Sequence, residues 1–341
     1  MPKEIYIIGG GIAGLSLGIA LLREGIKVTL YEAGPYPRHR VCGEFICGVR
    51  AQTLNNLGVL HHLVDSEHCR SVKWTIREET VLERDLPHIA FGMSRYLLDF
   101  RMARQFRKLG GRLLENTRYL QEERLEGRVW AVGRRLEKES PWLGLKLHCE
   151  NLVLEADLEM HLGKDAYIGL SRIEDGMVNV CGLFKKRPDV KARKDELLLQ
   201  YLQSCGLQRI ADRVRLGKPD VSSVIGVSGI EFSKAAPLRD RLSLGDQFAI
   251  IPPFTGNGMS MAFESAEIAV EPLLDYCNGK ADWAETMKVV HNEQKTHFKR
   301  RLKTSAHLHP LLFSGTGQRL LKPFARRNWV PFEKLFALTH T

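Results

Sequence analysis

The feature that most constrains how this chain can fold is the stretch IYIIGGGIAGLSLGIALLREGIKVTLYEA, residues 5–33. Residues 5–8 are apolar, as in a buried parallel strand, and residues 13–23 repeat apolar side chains at helical spacing. Residues 28–31 make a second strand that ends at Glu32. Between the first strand and the helix lie Gly9, Gly11 and Gly14 in G-x-G-x-x-G spacing. The first glycine permits a tight turn, the second lets backbone approach a pyrophosphate, and the third lets the helix pack on the strand. The helix start offers free N–H groups and a positive dipole end to phosphate. Glu32 stands 18 residues after Gly14, where an acid accepts from ribose hydroxyls. Together these predict a β-α-β unit that holds a dinucleotide.

Composition narrows the setting. With 341 residues, 44% hydrophobic and 26% charged, the chain can bury a large core in one or two interleaved domains. No apolar run reaches the ~18 residues of a membrane span, and the chain starts straight into a strand without a leader pattern, so the expectation is a cytoplasmic protein. The seven cysteines are scattered without C-x-x-C spacing, which suggests free thiols and neither a zinc site nor a disulfide framework. Net charge is +10 and thickens after residue 299 in KRRLK and RLLKPFARR. A basic surface attracts anions or acidic membranes, but nothing resembles a nucleic-acid module.

Further along, residues 54–63 read as helix, and SVKWTIRE and TVLERDL alternate with period two as paired strands. Ser94 caps a helix to Leu109, Gly110-Gly111 stops it, and RLLEN is a further strand. Residues 145–185 read as an antiparallel sheet, followed by a helix over 192–204. A buried strand at 242–245 precedes helices from Gly256 almost to the end. The expected organisation is α/β. A Rossmann-like dinucleotide-binding domain is split into residues 1–70, 94–140 and 236–280; strands at 71–93 and the segment 141–235 form an inserted substrate domain, and 281–341 is a helical C-terminal region.

The nature of the dinucleotide comes from LSLGDQFAIIPPFTGNGMSMAFESAEIAV, which begins at Leu242. This strand-Gly-Asp-loop-Gly-helix element resembles the second signature of the FAD-dependent oxidoreductases of the p-hydroxybenzoate hydroxylase and geranylgeranyl reductase superfamily. The resemblance implies a GR2-type FAD-binding domain with an inserted, mainly antiparallel sheet. It places Asp246 on the ribitol chain, and sets Gly245, Pro253, Gly256, Gly258 and Met259 around the pyrimidine end of the flavin. A helix dipole there stabilises the negative charge of reduced flavin. MSRYLLDFRMARQF resembles the family helix whose arginine, here Arg95, reaches back to the cofactor. PRHRVCGEFI resembles the loop of the geranylgeranyl reductase branch and of flavin halogenases that passes over the FAD, which adds Arg40, Cys42 and Gly43. The flavin itself is expected to carry the chemistry, and Cys42 and Glu44 are the side chains considered for a catalytic part. Glu126-Gly127-Arg128 stands where the family has an Asp-Gly motif with FAD and pyridine-nucleotide roles, although the segment is short for it.

Two reactions follow from the resemblance. One is monooxygenation of an aromatic or polyketide-like molecule through a flavin C4a-hydroperoxide, with NAD(P)H as electron donor. The other is reduction or dehydrogenation of an isoprenoid or lipid-like substrate, which the VCGE loop favours. The basic, hydrophobic segment LLKPFARRNWVPFEKLFAL would then suit peripheral contact with a membrane. A halogenase is disfavoured because W-x-W-x-I-P is absent, YIGLSRI standing roughly in its place. A non-catalytic flavin-binding protein is the reading from a different class.

Overall fold

The computed structural model describes residues 3–120, 126–232, 240–327 and 329–340. Its elements run β1 (Ile5–Ile8), α1 (Ile12–Arg23), β2 (Val28–Tyr31), β3 (Phe45–Ile46), α2 (Ala51–Asn56), β4 (Glu67–Ile76), β5 (Glu79–Gly92), α3 (Arg95–Lys108), β6 (Arg112–Leu114) and β7 (Arg128–Trp130). There follow β8 (Trp142–Glu150), β9 (Leu158–Gly163), β10 (Ala166–Arg172), β11 (Val178–Lys185), α4 (Leu197–Ser204), α5 (Gln208–Leu216), β12 (Lys218–Ile230), β13 (Leu242–Ser243), α6 (Gly258–Cys277), α7 (Trp283–Phe313), α8 (Gly315–Arg326) and α9 (Phe332–His340).

Five strands form a parallel sheet in the order β13-β7-β1-β2-β6. Its centre has no solvent face: Ile5 and Ile7 are wholly buried, and α1 is buried from Ile12 to Leu21 between the sheet, α3 and α6. Glycine makes that closeness attainable. A Cβ on Gly14 would lie 2.0 Å from the Gly9 carbonyl oxygen, and one on Gly18 would lie 2.5 Å from the Phe106 ring.

The second sheet has the order β12-β8-β11-β10-β9-β4-β5-β3. Its pairings are antiparallel except for β4 with β9, where Val72 lies opposite Leu158. Helices α4 and α5 pack Leu198, Leu202, Ile210 and Val214 on one face. The opposite face turns towards the parallel sheet and the C-terminal helices. Register aligns two rows across that face: Met160–Gly169–Cys181–Lys146 and Leu158–Ser171–Asn179–His148.

Several elements differ from their sequence reading. The helix over residues 54–63 is a short α2 and a separate 3-10 turn, because Gly58 adopts φ +72° and ends the first piece. The helix over 192–204 begins only at Leu197, and α5 and the long β12 carry no start signal strong enough to read. RLLEN, 242–245 and residues 151–157 yield shorter strands or loop.

One joint between sheet and helices is ionic. Glu159 is wholly buried on the helix-covered face, where His161 Nε2 lies 2.8 Å and the Arg213 guanidinium nitrogens 2.7 and 2.9 Å from its carboxylate. Burial alone would raise its pKa, but the His161 and Arg213 hydrogen bonds outweigh that and hold it at about 2. A carboxylate with a lowered folded pKa stabilises the fold above its ordinary pKa and loses that contribution as pH falls through the folded value. Glu159→Gln is therefore expected to weaken the fold at neutral pH and to flatten the loss of stability between about pH 4.5 and 2. Urea midpoints across that range check this, and an unchanged acid slope would contradict it.

Candidate functional site

A cavity of about 980 Å³ runs between the two sheets, at the upper end of small-molecule sites. Gly9, Gly11, Glu32, Arg40, Cys42, Gly43, Arg95, Gly245, Asp246, Pro253, Gly256, Gly258 and Met259 all line it. Gly14 lies beneath the wall, packed on Gly9, in the helix-on-strand position its spacing suggested. Glu44 sits behind the wall.

At one end Gly9 turns with φ +107°, and a Cβ there would meet the Ala131 carbonyl oxygen at 2.3 Å. Helix α1 then starts from Gly11 with no side-chain cap, so its first N–H groups are free for a ligand. Glu32, 4% exposed, accepts from the N–H groups of Gly10 (2.9 Å) and Gly34 (3.1 Å) and pairs with Arg38 and Arg40. The wholly buried Asp99 ties the next guanidinium in place: Arg95 donates to both its oxygens at 2.7 and 2.8 Å, and Arg40 Nε donates at 3.0 Å. Three guanidinium groups against two carboxylates leave this end positive, as a diphosphate requires. Arg38 and Asp99 escaped the sequence reading, although Asp99 stands one helical turn after Arg95.

The other end is framed by β13 and α6. Gly245, at φ +59°, donates its N–H to Ser265 Oγ at 2.9 Å; Ser265 in turn bonds Gln294, whose Nε2 donates to the Ser243 carbonyl at 3.1 Å. This buried relay fixes the turn that presents Asp246, whose carboxylate faces the cavity 3.8 Å from Arg134 Nε. Helix α6 also starts without a side-chain cap, and a Cβ on Gly258 would meet nothing within 4 Å. Two uncapped helix starts thus open on one cavity.

Loop 42–44 crosses the second sheet between these ends. Asn179 Nδ2 donates to the carbonyls of Gly43 (2.8 Å) and Cys42 (3.1 Å), and Ser171 Oγ donates to Gly43 at 3.0 Å. Glu44, wholly buried at φ +53°, takes the Arg95 backbone N–H at 2.9 Å, His148 Nε2 at 2.6 Å and the fully buried Lys146 ammonium at 3.2 Å. Burial raises its pKa, but the His148 hydrogen bond and the Lys146 charge prevail and lower it. Glu44 therefore holds the loop from behind instead of facing a ligand. Cys42 lines the cavity, but burial pushes its thiol up, which favours the neutral form over a nucleophilic thiolate.

Beyond the loop the cavity becomes apolar. Trp74, Tyr167, Phe232, Phe254, Phe332 and Phe336 are in its wall. Among the described residues the buried Tyr167 hydroxyl has no hydrogen-bond partner, and burial pushes His340 down to about 4, so it is neutral near pH 7.

One expected element lies elsewhere. Glu126 accepts from the Tyr276 hydroxyl at 2.7 Å and pairs with Lys3 at 3.6 Å. That places it just before β7, at the end of the parallel sheet remote from Gly9. Arg128 lies over the Tyr6 ring at 4.4 Å. Neither lines the cavity, and the Glu126-Gly127-Arg128 segment forms the turn into parallel strand β7.

Removing Glu44 leaves Lys146 charged and buried without its carboxylate. Glu44→Ala is expected to cost about 3–5 kcal/mol of unfolding free energy, measured by denaturant titration; a cost under about 1 kcal/mol would be that of an ordinary surface change and would contradict this account.

Residues 7–65 match the model of the NAD(P)-binding Rossmann-like domain family. Among curated proteins, the chain is 25% identical over 335 residues to conditioned medium factor receptor 1 of Dictyostelium discoideum, with 81% of this chain and 64% of that protein covered. The chain thus spans less than two thirds of that relative. Among solved structures it is similar to PqsL of Pseudomonas aeruginosa, a probable FAD-dependent monooxygenase (TM-score 0.71, 15% identity, 93% of this chain and 98% of that one). It is also similar to a geranylgeranyl bacteriochlorophyll reductase-like protein of Thermoplasma acidophilum (TM-score 0.75, 15% identity, 98% and 95%). The chain has the fold of the FAD-dependent oxidoreductases that include flavin monooxygenases and geranylgeranyl reductase-like proteins.

Proposed function

We propose that the chain is an FAD-dependent oxidoreductase, and that its reaction is monooxygenation of a hydrophobic aromatic or polyketide-like molecule, with NAD(P)H as the electron donor. The observation that carries this is the continuity of one cavity. It passes from a positive, glycine-walled end with two free helix starts into an aromatic-walled chamber.

The residues fit the cofactor. Gly9, Gly11 and the start of α1 would take the diphosphate, with Arg38, Arg40 and Arg95 balancing its charge. Glu32 would meet the adenosine ribose, Asp246 the ribitol, and Gly256, Gly258 and Met259 the pyrimidine end. Open space at Gly43 and Gly258 leaves room for the ring system. When bound, FAD supplies two-electron redox chemistry and reactivity towards dioxygen. The protein's own part is orientation and exclusion of water. The aromatic walls hold a flat substrate and keep the chamber dry, and the Tyr167 hydroxyl offers one buried hydrogen bond. Among the described residues of the wall, Glu159 is tied up by Arg213 and His161 and the Cys42 thiol is held neutral by burial, consistent with chemistry carried by the cofactor.

A second reading, reduction of an isoprenoid-like chain, is favoured by the aliphatic far wall, where Leu308, Leu311, Leu321, Ala325 and Leu335 meet.

Asp246→Ala is expected to weaken FAD retention by about 10–100-fold, the loss of one hydrogen bond to a charged group, read by flavin absorbance after dialysis; full retention would remove Asp246 from the ribitol. Gly11→Val is expected to give a folded, colourless protein, because its side chain would fill the pyrophosphate approach. To separate the two reactions, the photoreduced holoprotein would be mixed with isotopically labelled dioxygen and candidate phenols, then prenyl compounds. Label in a hydroxylated product supports the monooxygenase. Turnover of a prenyl substrate without dioxygen would overturn it in favour of the reductase.

A further inference from the structure

Charge in this chain is concentrated in one place. Residues 294–332 contain nine Lys and Arg and no Asp or Glu, so they hold nine of the ten net positive charges. Arg301 is buried on Glu264, and Lys322 pairs with Glu79. Lys295, Lys299, Arg300, Lys303, Arg319 and Arg327 are exposed. On α7, Arg300, Lys303 and His307 recur at spacings of three and four and form one exposed stripe.

Helix α8 has two unlike sides. With 3.6 residues per turn, Gln318, Leu321 and Ala325 share one side. Leu321 and Ala325 are in the cavity wall, and Gln318 Nε2 donates to the carbonyls of Gly163 and Leu312 at 2.9 and 2.8 Å. Leu320, Phe324 and Arg327 fall on the other side, with Leu320 61% and Phe324 52% exposed; Trp329, just past the helix, is 61% exposed. An apolar strip with tryptophan at its end and arginines at its flanks is the pattern of a helix lying in a lipid headgroup layer. A nucleic-acid surface would use the arginines but leave Leu320, Phe324 and Trp329 without partners.

We propose that the outward side of α8, with Trp329 and the α7 stripe, docks on an anionic lipid bilayer. The cavity on the inner side of the same helix then receives a lipid-soluble substrate across a single helix layer. That second clause rests on the cavity being the substrate site of an oxidoreductase; the docking does not.

The test is co-flotation of the purified full chain with vesicles of phosphatidylcholine alone and of phosphatidylcholine mixed with phosphatidylglycerol, with protein scored by gel. The chain is expected to float with the anionic vesicles, more weakly as salt rises, and to stay in the buffer with phosphatidylcholine alone. R319Q/R327Q should bind about 30-fold more weakly, as two surface charges removed from an anionic leaflet imply. L320E/F324E should lose flotation, and thermal melting should show both variants folded. Wild-type protein that ignores anionic vesicles, or folded variants that float as the wild type does, would overturn the proposal. A colourless protein that floats would sink the cofactor reading and leave the docking intact, and a yellow protein left in the buffer would do the reverse.

Discussion

The loop that crosses the cavity depends on a buried carboxylate that stands outside the cavity wall. Glu44 is wholly buried and gripped from two bodies at once: the Arg95 N–H at the start of α3 beside the parallel sheet, and Lys146 and His148 on β8 of the second sheet. It thereby ties the start of α3 to β8 across the cavity loop. The backbone at Glu44 occupies the left-handed region, which a non-glycine residue holds only where its surroundings over-determine it. Here the surroundings are three hydrogen-bond donors, two of them on side chains able to carry positive charge. Cys42 and Gly43 are laid against Asn179 and Ser171 by the same clamp.

Once the loop is fixed, the rest of the site is a gradient of polarity along one cavity. The end at Gly11 has fixed charges whose orientation is set by Glu32 and Asp99, so a diphosphate would find its donors already arranged. The middle has backbone and small side chains, which let a planar group lie close. The far end has aromatic and aliphatic walls supplied by three separate parts of the chain: the second sheet, the loop after β13, and the C-terminal helices. Such an arrangement suits chemistry performed by a bound cofactor on an apolar molecule, because neither reaction partner has to share its end with the other.

How far the sequence revealed this follows from the kind of constraint at each position. Gly9, Gly14, Gly245 and Gly256 are legible because a positive φ or a close backbone approach admits little but glycine. Asp246 is legible because it follows a buried strand in a stereotyped turn. Lys146 and His148 were not, since LKLHC alternates as a half-solvated strand would, and only a loop about a hundred residues earlier buries the polar side. Glu159 and His161 are hidden the same way on the other face of that sheet, beneath Arg213 of α5. The Glu126-Gly127 pair is ambiguous in the sequence because an acid-glycine turn is also what the chain needs to enter β7. Buried ionic contacts between segments distant in sequence are thus the part that pattern alone does not show.

The measurement that tests the central claim most directly is the visible spectrum of the purified chain, with the heat-released chromophore identified by chromatography and its stoichiometry determined. A cavity with two free helix starts and a prearranged positive end predicts a yellow protein that releases FAD at about one equivalent, and apoprotein that regains the spectrum when FAD is added back. A folded protein, as judged by its cooperative melting, that is colourless and takes up no FAD would contradict the account.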